Sequence, residues 1–248
     1  MKYDSDNNSV FVSVITVCYN SGKTIQKTLE SVLNQTYLNY EYIIIDGNSN
    51  DETLGIIENY KGIFKDRLTV ISEPDKGIYD AMNKGIRMAK GKLIGLVNSN
   101  DYYEQDALEK IVKAYRGNKM EIVYGMQREF SQDGRLQNII FRSHEFLETQ
   151  MICHPTCFVS KDTYEKIGYF DLQYKYSSDY DFLLRAFRSK EVEFTPMYEI
   201  ISNFLLGGVS GNVAAYLETF RIWRKYGYIT AKRYYLITWR TILKKWIG

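Results

Sequence analysis

The chain has 248 residues, 45% of them hydrophobic and 25% charged, and a nearly balanced net charge of +2. This length and apolar fraction can supply a continuous core, so the chain is predicted to be globular, and its composition argues against an acidic disordered chain or a nucleic-acid binder. Three cysteines form no even disulfide framework, and neither a secretory signal nor an 18-residue apolar run is present. We therefore expect reduced thiols, a cytoplasmic protein and no transmembrane span.

Strands and helices are predicted to alternate from residue 10 onward, which is typical of a mostly parallel α/β sheet flanked by helices. The first strand, at 11–18, is an almost continuous apolar run of the kind that is buried on both faces. The elements predicted after it are a helix at about 24–34, a strand at 42–46, a helix around 54–57, a strand at 68–72, a helix at 78–89, a strand at 93–97 and a helix at 107–115.

The pattern changes after Gly117. An Asp133-Gly134 turn between apolar runs at 122–127 and 136–141 predicts a hairpin. Beyond it we predict a short strand at 157–159, helices at 162–167 and 179–189, and two C-terminal helices. The chain is thereby divided into a polar leader at 1–9, halves at 10–117 and 118–215, and a tail at 216–248.

The tail differs from the rest of the chain in charge. Residues 216–248 carry eight lysines and arginines against the single Glu218, a net charge of +7 that leaves −5 on the remainder. Aromatic residues alternate with these charges, as in a helix that lies on an anionic membrane surface. A basic helix packed on the domain is an equally good interpretation.

Polar residues follow four successive predicted strands. Ligands of open parallel sheets bind beyond the carboxyl ends of the strands, where loops and helix N-termini converge. Four such ends in succession predict one binding site. The residues concerned are Tyr19 and Asn20, Asp46, Glu73 to Asp75, and Asn98 to Asp101.

Two common nucleotide motifs are absent from this site. Gly22-Lys23-Thr24 resembles the end of a P-loop, but the earlier glycine of that motif would fall at Val17, and the first turn has no G-x-G-x-x-G. What remains is a nucleotide site in which one carboxylate, Asp46, accepts from base or ribose and another, Asp101, holds a divalent ion on a diphosphate.

Four motifs in chain order resemble the family 2 glycosyltransferases of the GT-A fold, over roughly residues 10 to 210. They are Val14 to Asn20, Ile45 to Thr53, Ser72 to Gly85, and Asn98 to Asp101. The resemblance implies an inverting transferase that usually takes a UDP-sugar and a divalent cation, Mn²⁺ or Mg²⁺. It makes 10–117 the half that binds the nucleotide sugar and 118–215 the half that binds the acceptor and holds the catalytic base.

The same resemblance implies roles for individual residues. Asp46 would contact the uracil, and Asp101 would be the metal ligand. The family commonly has two or three acidic residues in the stretch that here reads Asn98-Ser99-Asn100-Asp101, so only Asp101 remains. The Asn98 and Asn100 amides would hydrogen-bond the ribose and weaken the metal site. The remaining implied contacts are Thr16, Tyr19 and Asn20 in the nucleotide pocket, and Asp75, Lys76 and Gly77 near ribose and phosphates.

The catalytic base is predicted in the second half. Ser177 to Arg185 resembles the family's Glu-Asp motif, with Asp179 as the base and Asp181 as the reserve candidate, although an aspartate at this place could instead cap a helix. Gly207, Gly208 and Ser210 resemble a loop that covers the diphosphate. The Q-x-x-R-W signature of processive synthases is absent, so one transfer per encounter is expected.

The sequence thus predicts transfer of a hexose or N-acetylhexosamine from a UDP-sugar to a saccharide hydroxyl. A lipid-linked acceptor at the inner face of the plasma membrane, as in surface polysaccharide assembly, would suit the basic tail. Two alternatives remain: a sugar nucleotidyltransferase, which should carry a glycine-rich loop after the first strand, and a non-catalytic nucleotide-sugar-binding protein.

Overall fold

The computed structural model describes residues 10–207 and 212–247. The strands are β1 (Val12–Cys18), β2 (Tyr40–Asp46), β3 (Leu68–Ser72), β4 (Leu93–Leu96), β5 (Tyr102–Tyr103), β6 (Glu121–Phe130), β7 (Leu136–Ile140), β8 (Phe158–Ser160) and β9 (Glu193–Leu205). The α-helices are α1 (Ile25–Leu33), α2 (Thr53–Phe64), α3 (Ile78–Met88), α4 (Ala107–Ala114), α5 (Lys161–Ile167), α6 (Ser178–Ser189), α7 (Val213–Lys225) and α8 (Ala231–Ile247). The strands form one sheet in the order β3-β2-β1-β4-β8-β6-β9-β5, with β7 paired to β6.

The first four strands form the parallel part of the sheet. Every residue of β1 and β2 is buried, which explains why both strands are apolar on both faces. Val12 pairs with Tyr40 and Cys18 with Asp46, and β4 lies on the other side of β1. The carboxyl ends of these strands therefore meet at one edge, and the predicted α/β class is confirmed.

Helices cover both faces of this sheet. Alternate side chains of the strands point to opposite sides, so Val14 and Ile44 pack with Leu29 on one face. On the other face, Ile45 packs in a second core with Ile86 of α3. Each large apolar side chain buried in this way contributes about 1.5–3 kcal/mol to folding.

The second half contains the predicted hairpin and a strand that the sequence analysis missed. Strands β6 and β7 pair antiparallel around the Asp133-Gly134 turn, as expected. Beyond it, β9 pairs with β6 in parallel over most of its 13 residues. Pro196 interrupts β9, and its pairing with β6 is irregular, which hides the alternation that marks a strand.

The sheet continues across the predicted boundary near residue 118. Strand β8 pairs antiparallel with both β4 and β6, and the two-residue strand β5 pairs with β9. The two halves thus share one sheet, and the cleft described below has walls from both.

Helix α7 is docked on the domain. Glu218 accepts hydrogen bonds from the backbone N–H groups of Lys175, Tyr176 and Ser177 at 2.7–3.1 Å. Ile222 is fully buried, and Trp223 Nε1 donates to the Tyr180 hydroxyl at 2.8 Å. The first part of the tail is therefore a helix packed on the domain, which is one of the two interpretations that the sequence left open.

Helix α8 differs from α7 in exposure. Tyr235 is 70% exposed, Leu236 45% and Trp239 60%, so large apolar groups face away from the core. Lys232, Arg233 and Arg240 lie along the same helix. Among the described residues, none of the helices combines the length and the apolar character that crossing a membrane requires.

Candidate functional site

A cleft of about 660 Å³ opens at the carboxyl edge of the parallel strands. One wall comes from the loops after β1 and β4 and the start of α3, and the other comes from β6, the turn at His154–Thr156 and the start of α6. Six of the predicted site residues line it: Tyr19, Asp75, Gly77, Asn98, Asn100 and Asp179. The cleft thus brings the predicted nucleotide residues and the predicted base together.

Asn20 lies beside the cleft and ties two loops together. Its backbone N–H donates to Ser49 Oγ at 2.8 Å, and its side-chain Oδ1 accepts from the Asn50 N–H at 3.0 Å. Its φ of 48° is a left-handed conformation that asparagine tolerates better than most residues. Asn20 therefore fixes the loop that carries Tyr19 against the loop after β2.

Asp46 is buried and its carboxylate is bonded by the protein itself. One oxygen accepts from the Ser49 N–H at 2.9 Å and from Ser72 Oγ at 2.7 Å, and the other accepts from Ser49 Oγ at 2.5 Å and Cys18 Sγ at 3.5 Å. Thr16 is likewise buried, and its hydroxyl accepts from the Tyr42 hydroxyl at 2.9 Å. Neither residue lines the cleft.

The loop after β3 places Asp75 and Gly77 on the cleft wall. Asp75 Oδ1 accepts from the Gly77 N–H at 2.8 Å, and Gly77 has a φ of 113°, which glycine adopts without strain. At Gly47 a Cβ atom would lie 2.6 Å from Asp75 Oδ2, so a larger residue there would displace the Asp75 carboxylate. Lys76, between Asp75 and Gly77 in the sequence, is exposed and does not line the cleft.

Asp101 is fully buried behind the cleft wall that Asn98 and Asn100 form. Its Oδ1 accepts from the Leu205 N–H at 3.1 Å, but Oδ2 has no hydrogen-bond partner among the described residues. Burial raises the pKa of this carboxyl to about 7. One carboxylate oxygen is therefore left for a cation, although the described residues contain no cluster of three His, Cys, Asp or Glu side chains suited to a metal.

Asp179 lies in the first turn of α6 and faces the cleft. Its Oδ1 accepts from the Tyr79 hydroxyl at 2.8 Å and from the Tyr180 N–H at 2.9 Å, while Oδ2 lies 4.0 Å from His154 Nδ1. The helix begins at Ser178 with Ser177 as its N-cap, so Asp179 is not the capping residue. Burial lowers the pKa of His154, more than Asp179 raises it, and the imidazole is neutral near pH 7.

Asp181, the reserve candidate, faces away from the cleft. Its side chain is 1% exposed and accepts from Arg185 Nε and Lys225 Nζ at 2.8 Å and from the Tyr226 hydroxyl at 2.9 Å. Burial raises the pKa of Asp181, but the bonds from Lys225, Arg185 and Tyr226 outweigh it and hold the pKa below its usual value. This carboxylate joins α6 to the C-terminal segment.

The predicted diphosphate loop is described only at its start. Gly207 has a φ of 98°, and a Cβ atom there would lie 3.0 Å from Gln132 Nε2. Gly208 and Ser210 lie outside the described residues.

Several cleft residues were missed by the sequence analysis. Tyr79 lies inside the motif from Ser72 to Gly85, but it contacts Asp179, which is 100 positions away in the chain. His154 lies in a short turn between Cys153 and Pro155, where nothing in the neighbouring sequence points to Asp179. Gln127, Glu129 and Arg142 come from the hairpin, where no local pattern distinguishes a cleft residue from a surface one.

Comparison with known proteins identifies relatives of this chain. The family model described as "Glycosyl transferase family 2" matches residues 13–168. A PGL/p-HBAD biosynthesis glycosyltransferase from Mycobacterium tuberculosis is 29% identical over 205 residues, 81% of this chain and 79% of the relative. Hyaluronan synthase from Pasteurella multocida is 33% identical over 211 residues, 83% of this chain but only 21% of the synthase.

Solved structures show the same fold. S. aureus TarS 1–349 in complex with UDP-GlcNAc superimposes with a TM-score of 0.70 at 20% identity, covering 86% of this chain and 65% of that one. The mannosyltransferase PcManGT from Pyrobaculum calidifontis, in complex with GDP-Man and Mn²⁺, gives 0.64 at 17% identity, covering 84% and 60%. The chain spans 39% of the longer TarS chain. These structures confirm the predicted GT-A fold, and because the family model matches more than half of its residues, the chain belongs to glycosyl transferase family 2.

Proposed function

We propose that the protein is an inverting, non-processive glycosyltransferase that moves a hexose or N-acetylhexosamine from a UDP-sugar to a saccharide hydroxyl. The observation that carries the proposal is the setting of Asp179. Its carboxylate lines the same cleft as the strand-end residues Asp75, Asn98 and Asn100. Tyr79 fixes one carboxylate oxygen, and the other lies too far from His154 for a hydrogen bond and can accept a proton.

The reaction follows from that placement. The acceptor oxygen attacks the anomeric carbon of the donor, its new C–O bond forms as the bond to the diphosphate breaks, and the nucleoside diphosphate leaves with the electron pair. Asp179 takes the proton of the acceptor hydroxyl. Attack from the side opposite the leaving group converts an α-linked donor into a β-linked product, and a positioned base contributes roughly 10²- to 10⁴-fold.

A UDP-sugar donor is supported by the cleft and by a structural relative. Tyr19 is 62% exposed at the cleft rim and offers a ring for stacking, while Asn98, Asn100 and Asp75 offer hydrogen bonds to ribose. TarS, which shares the fold, is described in complex with UDP-GlcNAc.

A divalent cation fits a site with a single carboxylate ligand. Mg²⁺ and Mn²⁺ sites on nucleotides commonly use one or two carboxylates plus phosphate oxygens, and the unpartnered Asp101 Oδ2 is one such ligand. Asn98 and Asn100 would be weaker, neutral neighbours. The ion would neutralise charge on the departing diphosphate. PcManGT, which is described with Mn²⁺, supports this assignment, and loss of transfer on adding EDTA tests it.

The acceptor is proposed to be a lipid-linked saccharide at the cytoplasmic face of a membrane, as in surface polysaccharide assembly. Helix α8 supports this, because its exposed Tyr235, Leu236 and Trp239 lie on a helix with Lys232, Arg233 and Arg240. Helix α7 buries its apolar side, so membrane contact is assigned to α8.

A panel of nucleotide sugars with Mn²⁺ and saccharide acceptors tests the function. We expect acceptor-dependent release of UDP from one or a few donors. Exchange of a nucleoside triphosphate would instead indicate a nucleotidyltransferase, and binding without release would indicate a nucleotide-sugar-binding protein.

Membrane contact is tested separately with vesicles that contain anionic phospholipid. Replacing Tyr235, Leu236 and Trp239 together by serine should move the protein from the vesicle-bound to the free fraction while release of UDP with a soluble acceptor is retained. Equal binding of the wild type and the variant would overturn the assignment to α8.

A further inference from the structure

One buried amide in the cleft wall has an oxygen without a hydrogen-bond partner among the described residues. Gln127 on β6 lines the cleft, is only 5% exposed, and its Oε1 makes no hydrogen bond to the described residues. Other buried side-chain oxygens in the described part of the chain are also unpartnered, but Gln127 carries the one that belongs to a cleft-lining residue. A molecule bound in the cleft is therefore the natural source of a hydrogen-bond donor for this oxygen.

The fold aims this side chain at the cleft. Gln127 and Glu129 alternate with Arg128, which lies on the opposite side and donates to Glu104 Oε1 at 2.6 Å. The pairing of β6 with β9 shifts register on both sides of Met126, immediately before Gln127. Such irregularities re-aim side chains and are common beside active sites.

The neighbouring glycine shows how closely the two strands approach there. A Cβ atom at Gly125 would lie 2.7 Å from both the Glu199 carbonyl oxygen and Ile201 Cγ1. Any other residue at this position would push β9 away from β6, two residues before Gln127. The close approach of β6 and β9 beside Gln127 therefore depends on a glycine at position 125.

A second glutamine shows what a purely structural amide looks like in this protein. Gln35 is 3% exposed, its Nε2 donates to the carbonyls of Ser31 and Glu104, and its Oε1 accepts from the Leu108 N–H at 3.0 Å. Gln127 is equally buried but leaves its oxygen unpaired. Burying an unpaired acceptor destabilises the folded state, and a ligand that supplies the missing donor removes that penalty.

We propose that Gln127 is a sugar-recognition residue whose Oε1 accepts a hydrogen bond from a hydroxyl of the saccharide bound beside Asp179. The inference rests on the proposed transferase function and goes beyond it by naming a specificity determinant. Saccharides present many hydroxyl donors, and a buried acceptor strongly disfavours an analogue that lacks the matching hydroxyl. The hydroxyl belongs either to the donor's sugar ring or to the acceptor.

Gln127→Met tests the proposal, because methionine nearly preserves shape while it removes the amide. We expect kcat/KM to fall at least tenfold and the melting temperature to stay level or rise, since no hydrogen bond between Gln127 and the described residues is lost. The matched variant Gln35→Met should do the reverse, with a lower melting temperature and unchanged activity per folded molecule. Full kcat/KM in Gln127→Met would overturn the proposal, as would a loss of melting temperature equal to that of Gln35→Met.

Deoxy sugars identify the source of the hydroxyl and need no variant. One monodeoxy analogue of the donor sugar or of the acceptor should lose at least tenfold in kcat/KM with the wild type. The same analogue should show little further loss with Gln127→Met. If every monodeoxy analogue lowered kcat/KM equally in the wild type and in Gln127→Met, the proposed hydrogen bond to Gln127 would be refuted. A wild type that releases no UDP with any donor would instead refute the transferase function itself, so the two failures are distinct.

Discussion

Two sides of the first turn of α6 use the same chemical group in opposite ways. Asp179 faces the cleft, with one oxygen fixed by Tyr79 and the other 4.0 Å from His154 Nδ1. Asp181, two residues on and thus about 200° around the helix, is closed in by two cations and a hydroxyl. The elements packed against each carboxylate, here α3 and the C-terminal segment, therefore decide whether it can take a proton.

The largest expected effect is that of Asp179→Asn. The amide cannot accept the acceptor's proton, so kcat for release of UDP should fall roughly 10²- to 10⁴-fold. The free energy of unfolding should change little, because Asp179 is not the N-cap of α6. Near-normal transfer by this variant, with loss in Asp181→Asn, would reverse the assignment of the base.

Asp181→Asn should act on stability instead. It leaves the charges of Arg185 and Lys225 without their common partner, and because these side chains are 24% and 44% exposed, the cost should stay below the roughly 3–5 kcal/mol of breaking a fully buried ion pair. Denaturant unfolding measures the change, and transfer should be normalised to the folded fraction. An unchanged unfolding midpoint would contradict the structural role.

Asp101 extends the comparison, since it is buried like Asp181 but only partly bonded. Its pKa is raised to about 7, so the native state holds a proton that the unfolded state has lost between about pH 4 and 7. The free energy of unfolding of the wild type should therefore fall, relative to that of Asp101→Asn, as pH rises through this window, by at most about 1.4 kcal/mol per pH unit. Unfolding curves recorded in EDTA at several pH values measure this difference. Two parallel pH profiles would show that Asp101 is not held protonated.

The smallest effects are expected from a matched pair, Tyr79→Phe and Tyr226→Phe. Each change removes one hydroxyl that donates to one of the two aspartates. Tyr79→Phe should lower kcat on the order of tenfold, equivalent to about 1.4 kcal/mol, while Tyr226→Phe should instead lower the free energy of unfolding by about 1.5–3 kcal/mol. If both variants lowered activity to a similar degree, the assignment of Asp179 to catalysis and Asp181 to stability would be wrong.

The fold of the first half was predictable because its signals are local. Continuous apolar runs mark β1 and β2, and turn residues mark their ends. Strand β9 gave no such signal, since Pro196 and the shifted pairing with β6 break its pattern. Its place in the sheet depends on contacts with β6, more than 60 residues earlier in the chain.

The candidate site was likewise predictable where its signals are local and not where they depend on distant contacts. The rule that ligands bind beyond strand ends placed Asp75, Asn98 and Asn100 on the cleft wall, where the structure has them. It could not show that Asp46 is enclosed by its own loop, because that depends on Ser49 and Ser72 folding over the carboxylate. The contact of Asp46 with uracil stays a prediction.

The docking of α7 limits how this protein can be shortened or fused. Glu218 holds the backbone just before α6, where Lys175 and Tyr176 line the cleft, and Lys225 and Tyr226 hold the far side of the same helix. A shortened chain that ends before Glu218 would therefore lose the contacts that hold part of its cleft wall, and one that ends before Lys225 would lose the contacts of Asp181. Changes that begin after Thr230 spare those contacts, so α8 is the part of the tail that can be exchanged without touching them.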